Sequence, residues 1–488
     1  MSSLERTAKH TVIYMLGLMA NRGVAFLLVP LYTRTFEPSV FATWDLATTT
    51  IIFLVPLFEL GMASALVRYY HFHDYAEDRR KAITTAFTFV LGSSIIFFGL
   101  AFAFAPWLAT AIFGDAELTH LVKLVAVTVA LTAITNQFLS LLRAQEKSIA
   151  FSTLNLVRGS MGPVAILFFI LVFDFGLQGV LWGDIVGIIG MGVVGLWLTR
   201  RDIGLGISYR QLKSMLAFGL PLIPWTLTIS IITLSDRYFL RVWSTMDELA
   251  VYSLGAKIGM IMTLFTRAFQ TAWPASAYSI AKEDDAKEQL ARGGRYVFAA
   301  ASLLGATLAL AVPELVAVFG GSDFYSPAIY IVPWVVFSYA LYQLTLVLLI
   351  GITITRKNYY IMILAIGAVM AKLLLSFALI PRYGAYGAAL STFGSFGLLV
   401  TCGYIVAQRV YFVPYSLKPI ALFTCLVVVF SVVAFSVANE ASLQDATVRL
   451  VLLVGLLAAL PAIGLIEMSA VRQVGKSLGL GVTRWRRK

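Results

Sequence analysis

The sequence is poor in charge and in the residues that build catalytic or metal centres. Only 13% of its 488 residues are Asp, Glu, Lys or Arg, and it holds two cysteines and four histidines. Cys402 and Cys425 both fall in apolar runs without disulfide or zinc-type spacing, so they read as inert packing residues. His71 and His73 share a polar loop with no further ligand nearby in sequence, so no metal site is expected. There is no Walker loop GxxxxGK[ST], no HExxH and no GxSxG in a strand-turn-helix setting. These absences argue against an ATP-driven pump and against an enzyme, and no catalytic residue or cofactor is expected. No stretch is polar and long enough to form a soluble domain.

What the sequence has instead is apolar length. Hydrophobic residues make up 59% of the chain and the mean hydropathy is +0.86, well beyond the needs of a soluble core. Runs of about 18 or more mostly apolar residues recur throughout, each long enough to cross a hydrocarbon layer of roughly 30 Å as a helix. The expected fold is an all-α polytopic membrane protein of about fourteen transmembrane helices. The N-terminal MSSLERTAKH leads directly into an apolar run without the short core and cleavage site of a signal peptide, so it reads as the first span.

The formal charge of +12 would suggest nucleic acid as a partner for a soluble protein. Here topology explains it. Arg79, Arg80 and Lys81, then Arg143 and Lys147, then Arg200, Arg201, Arg210 and Lys213 fall in alternate loops, and the C-terminal TRWRRK continues the pattern. The positive-inside rule then places those loops and both termini in the cytoplasm, with Arg34, Arg237, Arg241, Arg382 and Arg449 outside. No nucleic-acid partner is expected.

An internal repeat organises the chain. AIFGDAEL at 111–118 is echoed by AVFGGSDF at 317–324, RAQEKSIAFSTLNLV at 143–157 by TRKNYYIMILAIGAV at 355–369, and FGLQGVLWG at 175–183 by YGAYGAALS at 383–391. The offset stays at about 206 to 212 residues. Each copy holds six spans, an even number, so the copies are expected as two parallel six-helix lobes, residues 1–200 and 201–410, around a central cavity. Residues 411–488 add two further helices and a basic tail, and their run VRLVLLVGLLAALPAIGLI faces either lipid or a partner.

Charges inside the spans point to the contents of that cavity, because an ionised group at mid-membrane is costly unless it meets a partner or a wet space. Arg22, Lys123, Arg158, Lys257 and Lys372 are basic, against Asp45, Glu59 and Asp184. The basic excess predicts a cationic cavity suited to phosphate oxygens. Pro56, Pro163, Pro221, Pro224, Pro274 and Pro333 interrupt or flank spans and offer bends.

The patterns N-R-G in the first span, T-R-T-F-E-P-S-V-F-A after it and L-G-M-A-S-A-L-V-R-Y-Y closing the second resemble the polysaccharide flippases of the multidrug/oligosaccharidyl-lipid/polysaccharide exporter superfamily. P-L-I-P, S-D-R-Y-F-L and A-V-Y-S-L-G-A-K extend the likeness into the second half. The resemblance implies movement of undecaprenyl-pyrophosphate-linked glycan from the cytoplasmic to the outer leaflet of the bacterial inner membrane by alternating access. It also implies a proton or sodium gradient as driving force, and polysaccharide polymerase and export proteins as partners. It places Arg22 and Lys257 at the pyrophosphate, with Arg158 and Lys372 extending the basic surface and Asp45 after the first external loop.

Each assignment has a structural competitor. Arg22 either lines the cavity or pairs with Glu59, and Lys257 either meets substrate or snorkels to the interface. Glu59, Asp45 and Asp184 are candidates for ion coupling, or neutralise neighbouring bases. Rival functions are a lipid II flippase, which shares the chemistry, and a cation-coupled multidrug exporter, against which the basic excess argues. A membrane polysaccharide polymerase or ligase is a further alternative, but it would be expected to carry a large external loop and the loops here are short.

Overall fold

The computed structural model describes residues 23–24, 26–72, 75–204, 206–437 and 442–465, and among them every regular element is helical. Among these described residues, ten helices are long and apolar enough to cross a membrane. An eleventh span counts if Met246–Gly259 and Met262–Gln270, bent by 44° at their junction, are taken as one. The protein is therefore an all-α, multi-pass membrane protein. The chain clusters into two compact units, Met1–Ser253 with Ile380–Ala385, and Leu254–Leu379 with Tyr386–Lys488.

In the first unit, Pro38 opens the helix Pro38–Glu59, where its missing N–H costs nothing. That helix stops at Leu60, which is left-handed, and Gly61 follows with φ 76° before Met62–Phe72 begins. The break is fixed by contact with a second one. A Cβ on Gly61 would stand 2.3 Å from the carbonyl oxygen of Gly219, the last residue of Tyr209–Gly219, and the next helix, Leu222–Leu234, starts just beyond. Two interrupted helices thus touch backbone to backbone at their interruptions. Beside them the Arg68 guanidinium lies 4.4 Å from the centre of the Phe218 ring.

The same unit contains the hairpin Ser148–Leu171 and Gly176–Thr199. Small residues let its arms close. A Cβ on Gly187 would lie 2.8 Å from the Gly162 Cα, and one on Gly183 only 2.4 Å from Ile166. Phe138, Leu142, Phe151, Leu154 and Met191 form the apolar core where Thr119–Ala144 packs against this hairpin.

The 52 residues Tyr359–Val410 form two helices joined across a kink, and as one straight helix they would run roughly 78 Å. It does not run straight. Gly384 has φ 50° and ψ −129°, outside the helical region, and Lys372 on one arm bonds to Ser391 and Thr392 on the other, all three in the second unit. The helix therefore turns back into two antiparallel arms. Left-handed residues mark three turns in each half of the chain, Gly114 and Gly321, Glu146 and Arg356, and Gly176 and Gly384, each pair about 207 to 210 residues apart.

Helices Leu417–Val437 and Leu443–Ala462 pack on Ala286–Leu310 through Phe423, Val427, Leu456, Leu460, Ala299 and Ala306. Arg449, assigned by the charge pattern to the outer side, is 4% exposed and pairs with Glu314. Cys402 and Cys425 correct an expectation: both lie on exposed helix faces rather than in the packed interior. In a membrane span an apolar exposed face meets lipid, so a small apolar side chain is at home there.

Candidate functional site

The most enclosed charged cluster in the first unit centres on Asp45. Its helix, Pro38–Glu59, buries one face through Phe41, Ala42, Leu46 and Ala47, and Asp45 sits among them at 3% exposure. Arg237, at 2% exposure, donates from Nε to Asp45 Oδ2 at 3.1 Å and from Nη1 to the Thr233 carbonyl at 2.8 Å. Its guanidinium carbon lies 5.2 Å from the centre of the Tyr252 ring, whose hydroxyl donates to Asp236 Oδ2 at 2.5 Å. Thr50, about one and a half turns past Asp45, shares a 2.8 Å hydrogen bond with the Tyr238 hydroxyl. Charges alternate along this chain from Asp45 to Arg237 to Asp236, which is how buried ions avoid an unpaired desolvation cost.

The sequence pattern places Arg237 in an external loop. It instead lies in the helix Asp236–Trp243, directly after the apolar Leu222–Leu234. The adjacent charges of S-D-R read as the end of a span, whereas each has an internal partner and stays buried. The available signal was Asp45 itself, a carboxylate in an apolar run that required a cation.

The other predicted residues fall into separate places. Arg158 and Asp184 meet across the Ser148–Leu171 and Gly176–Thr199 hairpin at 3.3 Å, with side chains 24% and 35% exposed. Glu59 ends its helix and accepts a 2.6 Å hydrogen bond from Asn136 Nδ2 on Thr119–Ala144. Near it, Ser93 donates to the Phe58 carbonyl at 2.7 Å, tying a third helix, Ala76–Ala103, to the same point. Arg22, and with it the question of an Arg22 to Glu59 pair, lies outside the described residues.

In the second unit, Lys372 is fully buried. Its ammonium donates to Ser391 Oγ and Thr392 Oγ1, each at 2.7 Å, and Ser376 bonds to Ser391 at 3.1 Å. Lys257 stands in the last turn of Met246–Gly259, where a cation complements the carbonyl end of a helix, just before the 44° bend. Lys123 lies 4.4 Å from the Phe102 ring centre, a cation–π contact in the first unit.

Residues 7–277 match the family described as polysaccharide biosynthesis protein. The chain belongs to that family. Among solved structures, the inward closed conformation of the lipid II flippase MurJ superposes with a TM-score of 0.73 at 14% identity, covering 92% of this chain and 99% of that one. An inward-facing multidrug resistance MATE transporter of the MOP superfamily gives 0.63 at 15% identity, covering 80% and 94%. A mutant form of the Vibrio cholerae MATE transporter VcmN gives 0.57 at 16%, covering 83% and 96%. No curated protein matches the sequence.

This polysaccharide biosynthesis protein thus shares its fold with a lipid II flippase and with multidrug exporters.

Proposed function

We propose that the protein flips polyprenyl-pyrophosphate-linked oligosaccharide from the cytoplasmic to the outer leaflet of a bacterial inner membrane by alternating access. The observation that carries this reading is the one-sided charge of two apolar stretches in the second unit. Lys257, Arg267 and Lys372 lie in helical segments, 254–281 and 359–379, that contain no Asp or Glu. A pyrophosphate is the part of such a substrate that needs cations in a low-dielectric setting, where charge-assisted hydrogen bonds are strongest. A cationic drug would meet repulsion there.

In this reading Arg22 and Lys257 contact the pyrophosphate and Arg158 extends the basic surface. Lys372, enclosed by hydroxyls, joins only in a state in which its hairpin loosens. Glu59, Asp45 and Asp184 are the groups through which a proton or sodium gradient would act, and the undecaprenyl chain stays in the bilayer.

The test is a flipping assay in proteoliposomes with a lipid-pyrophosphate-linked oligosaccharide, with and without an imposed ion gradient, beside a cationic dye. Movement of the lipid-linked sugar is the expected result, and gradient dependence separates coupled from passive movement. Movement of the dye alone would overturn the proposal in favour of a drug exporter.

A further inference from the structure

A cavity of about 700 Å³ opens at the start of helix Ala76–Ala103, and none of its lining residues is among those assigned to transport above. One wall is the first turns of that helix and the other is the connector residues Gly204, Gly206, Ile207 and Ser208. The walls are held at a fixed spacing. Gly204 N–H donates to Thr84 Oγ1 at 2.8 Å, Ser208 N–H donates to Thr85 Oγ1 at 3.0 Å, and the Thr88 hydroxyl donates to the Gly206 carbonyl at 3.2 Å.

Those bonds leave unused donors on the cavity wall. Thr84 and Thr85 are 5% and 1% exposed, and each hydroxyl accepts from the connector while donating to no acceptor among the described residues. A hydroxyl carries one proton to donate, and a buried one normally finds an acceptor. Above them, Arg80 runs along Gly204, with Nε 3.5 Å from where a Cβ would be, and makes no hydrogen bond or ion pair among the described residues. Lys81 also lines the cavity and is bridged to Glu77 at 2.7 Å, so the one lining carboxylate is already neutralised.

Unspent hydroxyl donors below and a guanidinium above call for a ligand that only accepts and is negatively charged. We propose that this cavity binds a phosphate group, with Arg80 supplying the charge left after Lys81 is paired with Glu77, and Thr84 and Thr85 supplying directional donors. Basic pockets beside a transmembrane helix are a recurring form of lipid headgroup recognition. The phosphate comes either from a bilayer lipid such as phosphatidylglycerol or from solution, and the chemistry is the same. The site does not rest on the flippase reading.

Native mass spectrometry of the full chain in detergent, titrated with phosphatidylglycerol, phosphatidylcholine and inorganic phosphate, decides the matter. Phosphatidylglycerol is expected to bind more tightly than phosphatidylcholine, and Arg80→Gln to weaken it about tenfold, the loss of one charge-assisted hydrogen bond. Thr84→Val is expected to weaken it likewise while Thr84→Ser retains binding. Competition by inorganic phosphate identifies a free anion as a second ligand, whereas its failure to compete assigns the site to lipid. Arg201→Gln removes the same charge outside the cavity lining. If it weakens binding as much as Arg80→Gln, or if no cavity variant weakens it, the attraction is diffuse and the proposal is wrong.

Discussion

Asp45 and Arg237, 192 residues apart in sequence, share a 3.1 Å hydrogen bond in which both side chains are almost fully buried. The pair joins the helices Pro38–Glu59 and Asp236–Trp243. Removing one partner leaves the other ionised and enclosed, which costs about 3–5 kcal/mol, while replacing both with apolar residues of similar volume is close to neutral. Asp45→Ala is therefore expected to lower stability by that amount and Asp45→Leu with Arg237→Met to recover most of it. Thermal unfolding of the purified single and double variants checks this; additive losses in the double variant would show that the pair is not coupled.

Transport should depend on Arg22 and Lys257 without folding depending on them. Each Arg22→Ala or Lys257→Ala variant is expected to insert normally and to lose about tenfold or more in lipid-linked sugar flipping, the effect of removing a hydrogen bond to a charged group. Flipping rates normalised to protein recovered in the membrane provide the measurement. Wild-type rates in both variants would remove these residues from the substrate path.

Glu59 offers a second functional test, because its carboxylate is held by the Asn136 amide at the end of a helix where three helices converge. Glu59→Gln keeps the shape and abolishes titration. Gradient-stimulated flipping should fall to the rate seen without a gradient, while that basal rate stays. An unchanged response to the gradient would exclude Glu59 from coupling.

The Gly61 and Gly219 contact predicts a steric failure. Alanine at Gly61 would place a methyl carbon 2.3 Å from a carbonyl oxygen and hold a left-handed φ of 76°. That backbone conformation alone costs a side-chain-bearing residue about 1–2 kcal/mol. Gly61→Ala should lower the unfolding temperature more than Gly92→Ala, where a Cβ meets nothing within 4 Å. Equal stabilities in the two variants would mean the two helices separate easily.

Much of the architecture was legible because bilayer thickness imposes long apolar runs, and such runs are visible without any partner. Asp45, Glu59, Arg158, Asp184 and Lys372 were found for the same reason: a charge in an apolar run stands out. Their partners were harder to read. Arg158 with Asp184 follows from a hairpin whose arms the sequence marks with glycines, but Asp45 with Arg237 links helices far apart in the chain. Nothing local distinguishes a buried Arg237 from one that ends a span. The hydroxyl setting of Lys372 was also hidden, since serine and threonine in a helix normally bond back to their own turn and carry little pattern.

The glycine crossing between the second apolar run and Tyr209–Gly219 has a mechanical meaning. Side-chain interfaces interlock, so sliding them forces many rotamers to change together. At Gly61 and Gly219 there are no side chains to interlock, and each helix is already interrupted next to the crossing. Contact at that point is made by backbone atoms alone, so the fit depends on neither position carrying a side chain.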